Sequence, residues 1–252
     1  VPRNAAGQPD PTGKVVLLSV GMSNTSQVST AFAQQLAKAD DRHPALVFLN
    51  GAQGGMTARA IRNPKDNATG TRYWATIDDR LKAAGVTAAQ VQAVWMKQAD
   101  AGPTQGFPAY AETLCDEMED IARVVRERFP NAALMYLSSR TYAGYATTGL
   151  NPEPYAFESG LAVRWLIGRQ LDGKAGLNFD AAKGPVRAPW LAWGPYLWAN
   201  GTTKNAAGLS YTPDDFAADG THPSQAGQQK VGAEMMRFFR TEPTARPWFV
   251  RP

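Results

Sequence analysis

The chain has 252 residues, 26 Lys+Arg against 22 Asp+Glu for a formal charge of +4, and 44% hydrophobic and 19% charged residues, enough to bury a core as one large domain or two small ones. One Cys and two His exclude an intrachain disulfide framework, zinc sites built on two thiolates and the H-E-x-x-H metal motif. Most of the excess charge lies in a tail bearing Lys230, Arg237, Arg240, Arg246 and Arg251 against Glu234 and Glu242; without a basic stripe of interleaved aromatics, or an apolar run near the ~18 residues of a membrane span, neither nucleic acid nor membrane is expected as a partner.

Residues 1–13 are polar and rich in Pro and Gly, and read as an N-terminal extension. They begin on Val and contain no apolar h-region, so the expectation is a mature chain of a secreted or periplasmic protein, with the cytoplasm left open. Lys14–Val20 then reads as a buried strand ending at Gly21, followed by a helix over Ser26–Asp41. A second strand, Ala45–Asn50, ends in GAQGG, and a third, Val91–Met96, ends in KQAD. Leu114, Met118, Ile121, Val125 and Phe129 form one apolar helical stripe, which Pro130 stops. Ala132–Ser138 is a fourth strand. Residues 140–218 read as a large insertion, within which Tyr155–Leu171 has helical spacing and PWLAWGPYLWANG offers a fifth strand. Ser224 caps a last helix with Val231, Met235, Phe238 and Phe239 on one face, and 241–252 are left as a C-terminal tail. Strand–turn–helix units in this order predict an α/β fold, a three-layer α/β/α sandwich around a central, mostly parallel five-stranded sheet, as a single domain over 14–240.

Ligands of such sheets bind outside the carboxyl ends of the strands, where helix N-termini and backbone N–H groups converge. The residues there are 21–27, 51–57 and 97–100. A neutral-pH base is usually a histidine. His43, in DDRHP before the second strand, falls at the wrong edge and reads as a surface turn residue. His222 follows Asp219 by three in DGTHPS, a spacing that lets the carboxylate fix one ring nitrogen while the other takes a proton, although capping of the following helix explains the same residues equally well. Ser23 in GMSNT would stand at a helix N-terminus suited to a developing oxyanion, where an isolated G-x-S also fits an N-cap; Thr25 rules out the G-x-S-x-G elbow. GAQGG fits no phosphate loop and marks either a tight turn or a backbone N–H donor at Gly55. Gln98 offers a side-chain amide after the third strand, or is an ordinary loop residue. NTS at 24–26, NAT at 67–69 and NGT at 200–202 fit glycosylation sequons.

Taken jointly, Ser23 in GMSN, Gly55 in NGAQGG, Gln98 in WMKQAD and Asp219 with His222 in DGTHPS occur in order at one sheet edge. In these residues the sequence resembles the SGNH (GDSL-like) hydrolase superfamily, most of all its carbohydrate-esterase and sialate O-acetylesterase branches. The third block departs from the family: it lacks Gly-x-Asn, and Gln98 lies three residues after Trp95 where those branches have two. The resemblance implies a flavodoxin-like fold and a serine esterase with Ser23 as nucleophile, His222 as base and Asp219 as its partner. The oxyanion would be held by Ser23 and Gly55 N–H and the Gln98 amide, with no cofactor or metal. The substrate it implies is a small acyl ester, an acetylated carbohydrate first, taken by a monomer. Trp190, Trp193, Tyr196 and Trp198, with Tyr73 and Trp74 elsewhere, offer aromatic faces for sugar rings or else a core. Trp193, Tyr196, Arg140, Tyr142 and Glu158 are the candidate substrate contacts. A lipase, arylesterase or thioesterase on the same fold, and a non-catalytic carbohydrate-binding module, are the alternatives.

Overall fold

The computed structural model describes residues 1–251. Five strands, β1 (Val15–Gly21), β2 (Leu46–Asn50), β3 (Val91–Lys97), β4 (Leu134–Ser138) and β5 (Trp190–Trp193), form one sheet in the order β2-β1-β3-β4-β5. Every pairing is parallel. β1 lies inside the sheet between β2 and β3, and all seven of its residues are buried, which is why it reads as an apolar run broken only by Ser19. The expected three-layer sandwich is therefore the observed fold, and its fifth strand is the aromatic segment.

The helices are α1 (Ser23–Ala37), the single turn α2 (Ala58–Ile61), α3 (Ala68–Ala83), α4 (Ala109–Arg128), α5 (Tyr155–Leu171), α6 (Gln225–Thr241) and the single turn α7 (Arg246–Phe249). Alternate strand residues face opposite layers. Val16, Leu18 and Val20 pack with Trp74 and Ile77 of α3, Leu114 and Met118 of α4 and Leu166 of α5. On the other side Leu17 packs with Phe32 of α1, Met235 and Phe239 of α6, and Phe249 of α7. The α4 stripe is buried along its whole length, from Leu114 to Phe129, before Pro130.

Several boundaries differ from expectation. α1 begins at Ser23 rather than Ser26, because Met22 takes the extended N-cap conformation and the helix starts immediately after the strand. α3 was missing from the sequence reading; the Asn67 side chain caps it by accepting from Thr69 N–H. Residues 140–218, expected as an insertion, supply α5 and β5, both parts of the sandwich. The 241–252 tail contributes Phe249, 1% exposed, and a bridge from Val250 to Arg42. In α6, which precedes it, Arg237 is paired with Glu234 and Arg240 with Asp41. Residues 1–13 are fastened by bridges from Arg3 to Pro9 and to Lys14. Among the described residues no helix is long and apolar enough to cross a membrane.

The sheet order reverses between β1 and β3, the two strands that lead in opposite directions from the centre. A crevice opens at the carboxyl ends of such strands. Ser23 stands at that point.

Candidate active site

The loop from β1 into α1 is set by Gly21, where any Cβ would overlap the carbonyl oxygen of Lys97. Its N–H donates to the buried hydroxyl of Tyr73 at 3.2 Å, and the Thr25 hydroxyl donates to the Lys97 carbonyl at 2.7 Å. Ser23 is thereby the first residue of a 15-residue helix that has no side-chain cap. The first-turn N–H groups are left for a ligand, at the end of the helix where partial positive charge accumulates.

Asp219 and His222 come from the far end of the chain. The turn is closed by hydrogen bonds from Gly220 N–H to Ala217 carbonyl and from Ala217 N–H to His222 carbonyl, both 2.8 Å. Gly220 has φ +63°, and a Cβ there would overlap the Tyr145 carbonyl. Thr147 N–H donates to the Asp219 carbonyl at 3.0 Å and ties the turn to the loop after β4.

These elements bring the three residues into one chain of hydrogen bonds. Ser23 Oγ lies 2.7 Å from His222 Nε2, and His222 Nδ1 lies 2.6 Å from Asp219 Oδ2. Asp219 Oδ1 accepts from the N–H groups of Thr221 at 3.0 Å and His222 at 2.9 Å. Burial pushes the Asp219 carboxyl up, but hydrogen bonds from the His222 ring and these two N–H groups outweigh it and hold the pKa below the ordinary value. An ionised Asp219 accepts the proton on Nδ1, which leaves the Nε2 lone pair facing the Ser23 hydroxyl.

The glycine loop lies beside Ser23. Gly54 is the closer of the pair: a Cβ on it would sit 3.9 Å from Ser23 Cβ, whereas one on Gly55 would meet nothing within 4 Å. Both glycines are exposed. Neither N–H has a protein acceptor among the described residues, so the Gly54–Gly55 segment presents two free donors where sequence alone singled out Gly55. Gln98 is 2% exposed; its amide donates to the Met56 carbonyl at 2.9 Å and its oxygen accepts from Ala99 N–H at 3.2 Å. It braces the glycine loop from beneath, in place of the direct donor role expected of it.

The other candidates scatter. His43 sits before β2, accepting from Ala45 N–H on Nδ1, as its place at the amino edge suggested. Tyr73 and Trp74 are fully buried, so of the two readings open to them, sugar face or core, they take the core. Trp193, 36% exposed and packed edge-on to Tyr196 at 5.7 Å, belongs to the edge strand β5. That strand is three strand spacings from β1, ~14 Å, so Trp193 stands away from the serine, whereas Tyr196 lies beside Gly160 and Ser139 past the end of β4. Tyr142 is half-buried against Tyr145 and Trp198. Arg140 and Glu158 are 1% and 3% exposed and closed to solvent. Sequence reading also passed over Phe157, 39% exposed on α5 and 4.9 Å from the Trp198 ring, and Lys97, whose buried Nζ donates to Asn24 Oδ1 at 2.9 Å.

No family model and no curated protein matches the sequence. Among solved structures, the chain is similar to LAE5, an alpha/beta hydrolase enzyme from the metagenome of Lake Arreo, Spain, at 14% identity over 88% of this chain and 94% of that one, with a TM-score of 0.49. It is also similar to Axe2, an acetylxylan esterase from Geobacillus stearothermophilus, at 16% identity over 88% and 93% of the two chains, with a TM-score of 0.47.

Proposed function

We propose that the chain is a serine esterase that cleaves small carboxylic esters through an acyl-enzyme. The observation that carries this reading is the continuous Ser23–His222–Asp219 hydrogen-bond chain at 2.7 and 2.6 Å, set at the switch point of the sheet. His222 Nε2 takes the proton as Ser23 Oγ attacks the ester carbonyl, and the imidazolium formed is stabilised by Asp219. The tetrahedral oxyanion is held by Ser23 N–H at the uncapped start of α1 and by the N–H groups of Gly54 and Gly55. One such donor supplies ~2.7–4 kcal/mol of transition-state stabilisation. Collapse returns the proton from His222 to the leaving alcohol, and water, activated by the same nitrogen, releases the acid and restores Ser23.

For the substrate we propose an acetyl ester carried on a carbohydrate. The motif resemblance supports it, and so do the half-exposed rings of Phe157, Trp198 and Tyr142, which line one side of the strand ends with faces suited to sugar C–H surfaces. Acetate release from acetylated xylan and hydrolysis of p-nitrophenyl acetate test the two parts of the reading, with Ser23→Ala as the control. Preference for acyl chains of eight carbons or more points to a lipase instead, and glycan binding without acetate release to a binding module.

A further inference from the structure

Two basic side chains lie buried where β3 and β4 end, Arg140 and Lys97, and no carboxylate bonds to either; burial and the Arg140 charge hold the Lys97 pKa well below the ordinary lysine value, so the lasting charge is that of Arg140. Arg140 is 1% exposed, yet its Nε, Nη1 and Nη2 all lack a hydrogen-bond partner. Only its backbone N–H is engaged, donating to Ser159 Oγ at 2.9 Å. On the adjoining strand Lys97 pairs in register with Ser138, two residues before Arg140. Lys97 is 2% exposed and has one acceptor, Asn24 Oδ1.

The neighbouring acid offers Arg140 its charge but no hydrogen bond. Glu153, whose charge acts on Arg140, spends Oε1 on Ala143 N–H and Trp198 Nε1–H and Oε2 on Phe157 N–H. A further donor points to the same occupant. The Tyr110 hydroxyl, 2% exposed and within the field of Arg140, accepts from Asn151 Nδ2 at 3.0 Å and Asp100 N–H at 3.4 Å, so its own hydrogen has no protein acceptor.

A guanidinium keeps its charge at any working pH and carries five N–H donors. Burying it with its Nε, Nη1 and Nη2 all unmet is among the least favourable arrangements a core can hold. The buried guanidinium calls for an anionic partner. We propose that Arg140, with the Tyr110 hydroxyl beside it, binds one small monovalent anion, a halide or a carboxylate group, at the ligand edge of the sheet. The site stands independently of the esterase reading.

The test uses the full chain. Thermal unfolding is followed while sodium chloride, bromide or acetate replaces the sodium salt of a bulky sulfonate at constant ionic strength, for the wild type and for Arg140→Met. Crystals soaked in bromide are measured at the bromine edge. The expected result is a saturable rise in Tm with the small anions that Arg140→Met loses, and a bromide peak within hydrogen-bond reach of the Arg140 guanidinium. If Arg140→Met does not fold, the bromide peak decides. Acetate acting like chloride shows that a carboxylate is accepted as well as a halide. No anion-specific rise in Tm together with ordered water alone at the guanidinium overturns the proposal.

Discussion

Replacing Asp219 by Asn probes the contact that fixes the protonation pattern of the triad. Asp219 Oδ1 accepts two backbone N–H groups, at 3.0 and 2.9 Å, while Oδ2 faces His222 Nδ1 at 2.6 Å. In Asp219→Asn the amide oxygen must stay on the two N–H donors, because the reverse rotamer sets donor against donor twice. The NH₂ group then faces Nδ1, which can only accept, so the ring proton moves to Nε2. Nε2 now presents a hydrogen to Ser23 Oγ instead of the lone pair that takes its proton. A wrong tautomer of this kind lowers kcat by ~10⁴, about 5.5 kcal/mol of barrier at 1.36 kcal/mol per decade. The fold loses much less, ~1.5–3 kcal/mol for a hydrogen bond to a charged group. The assay is the initial rate on p-nitrophenyl acetate, with thermal unfolding of the same samples. A large fall in kcat in a protein that still unfolds cooperatively is expected. An Asp219→Asn variant within tenfold of wild-type kcat would refute the reasoning, because the base would then work without its partner.

Three further variants follow. Gly220→Ala forces a Cβ onto the Tyr145 carbonyl at a residue with φ +63°; the left-handed conformation alone costs ~1–2 kcal/mol. Displacing the turn by about 1 Å should lower kcat/KM by ~10², as steady-state kinetics would show, and unchanged kinetics would mean the turn does not position His222. Glu117, 1% exposed, has its pKa pushed up to about 8 by burial and then by the charge and hydrogen bond of Asp100, with Arg62 and Arg59 pulling partly against them. The folded chain therefore keeps a proton that the unfolded chain has released, and stability falls as pH rises from about 4.5 to 8, by ~3 kcal/mol at pH 7. Glu117→Gln should flatten that slope in denaturant titrations between pH 5 and 8; an unaltered slope would contradict it. Phe249→Ala removes a ring stacked on Phe32 and Phe239 and should destabilise the fold by ~3–5 kcal/mol, whereas a dispensable tail predicts no change in the unfolding midpoint.

What the sequence showed and hid follows from how each feature is encoded. β1 is buried on both faces and β3 nearly so, so both appear as mostly apolar runs, and the α4 stripe repeats with helical period because one face is buried. The meeting of Ser23, Asp219 and His222 was legible because glycine positions and strand ends locate a site in an α/β sheet. α3 was not, since its Tyr73, Ile77 and Leu81 spacing is interleaved with Thr69, Thr71 and Thr76, which weaken the helical signal. The tail read as basic because charges are visible in a sequence and partners such as Asp41 for Arg240 are not. Depth is likewise invisible: Arg140 and Trp193 are both polar-edged residues near strand ends, yet one is sealed beneath the sheet edge and the other is open on the far strand. Gln98 was placed at the correct strand end, but its direction, down onto the Met56 carbonyl, depends on packing.

The most direct test of the account is covalent labelling by a fluorophosphonate ester, read by intact mass and peptide mapping. The account predicts one adduct per chain, on Ser23, absent in Ser23→Ala and strongly slowed in His222→Ala. No adduct on the folded wild type, or an adduct that persists in Ser23→Ala, would contradict it.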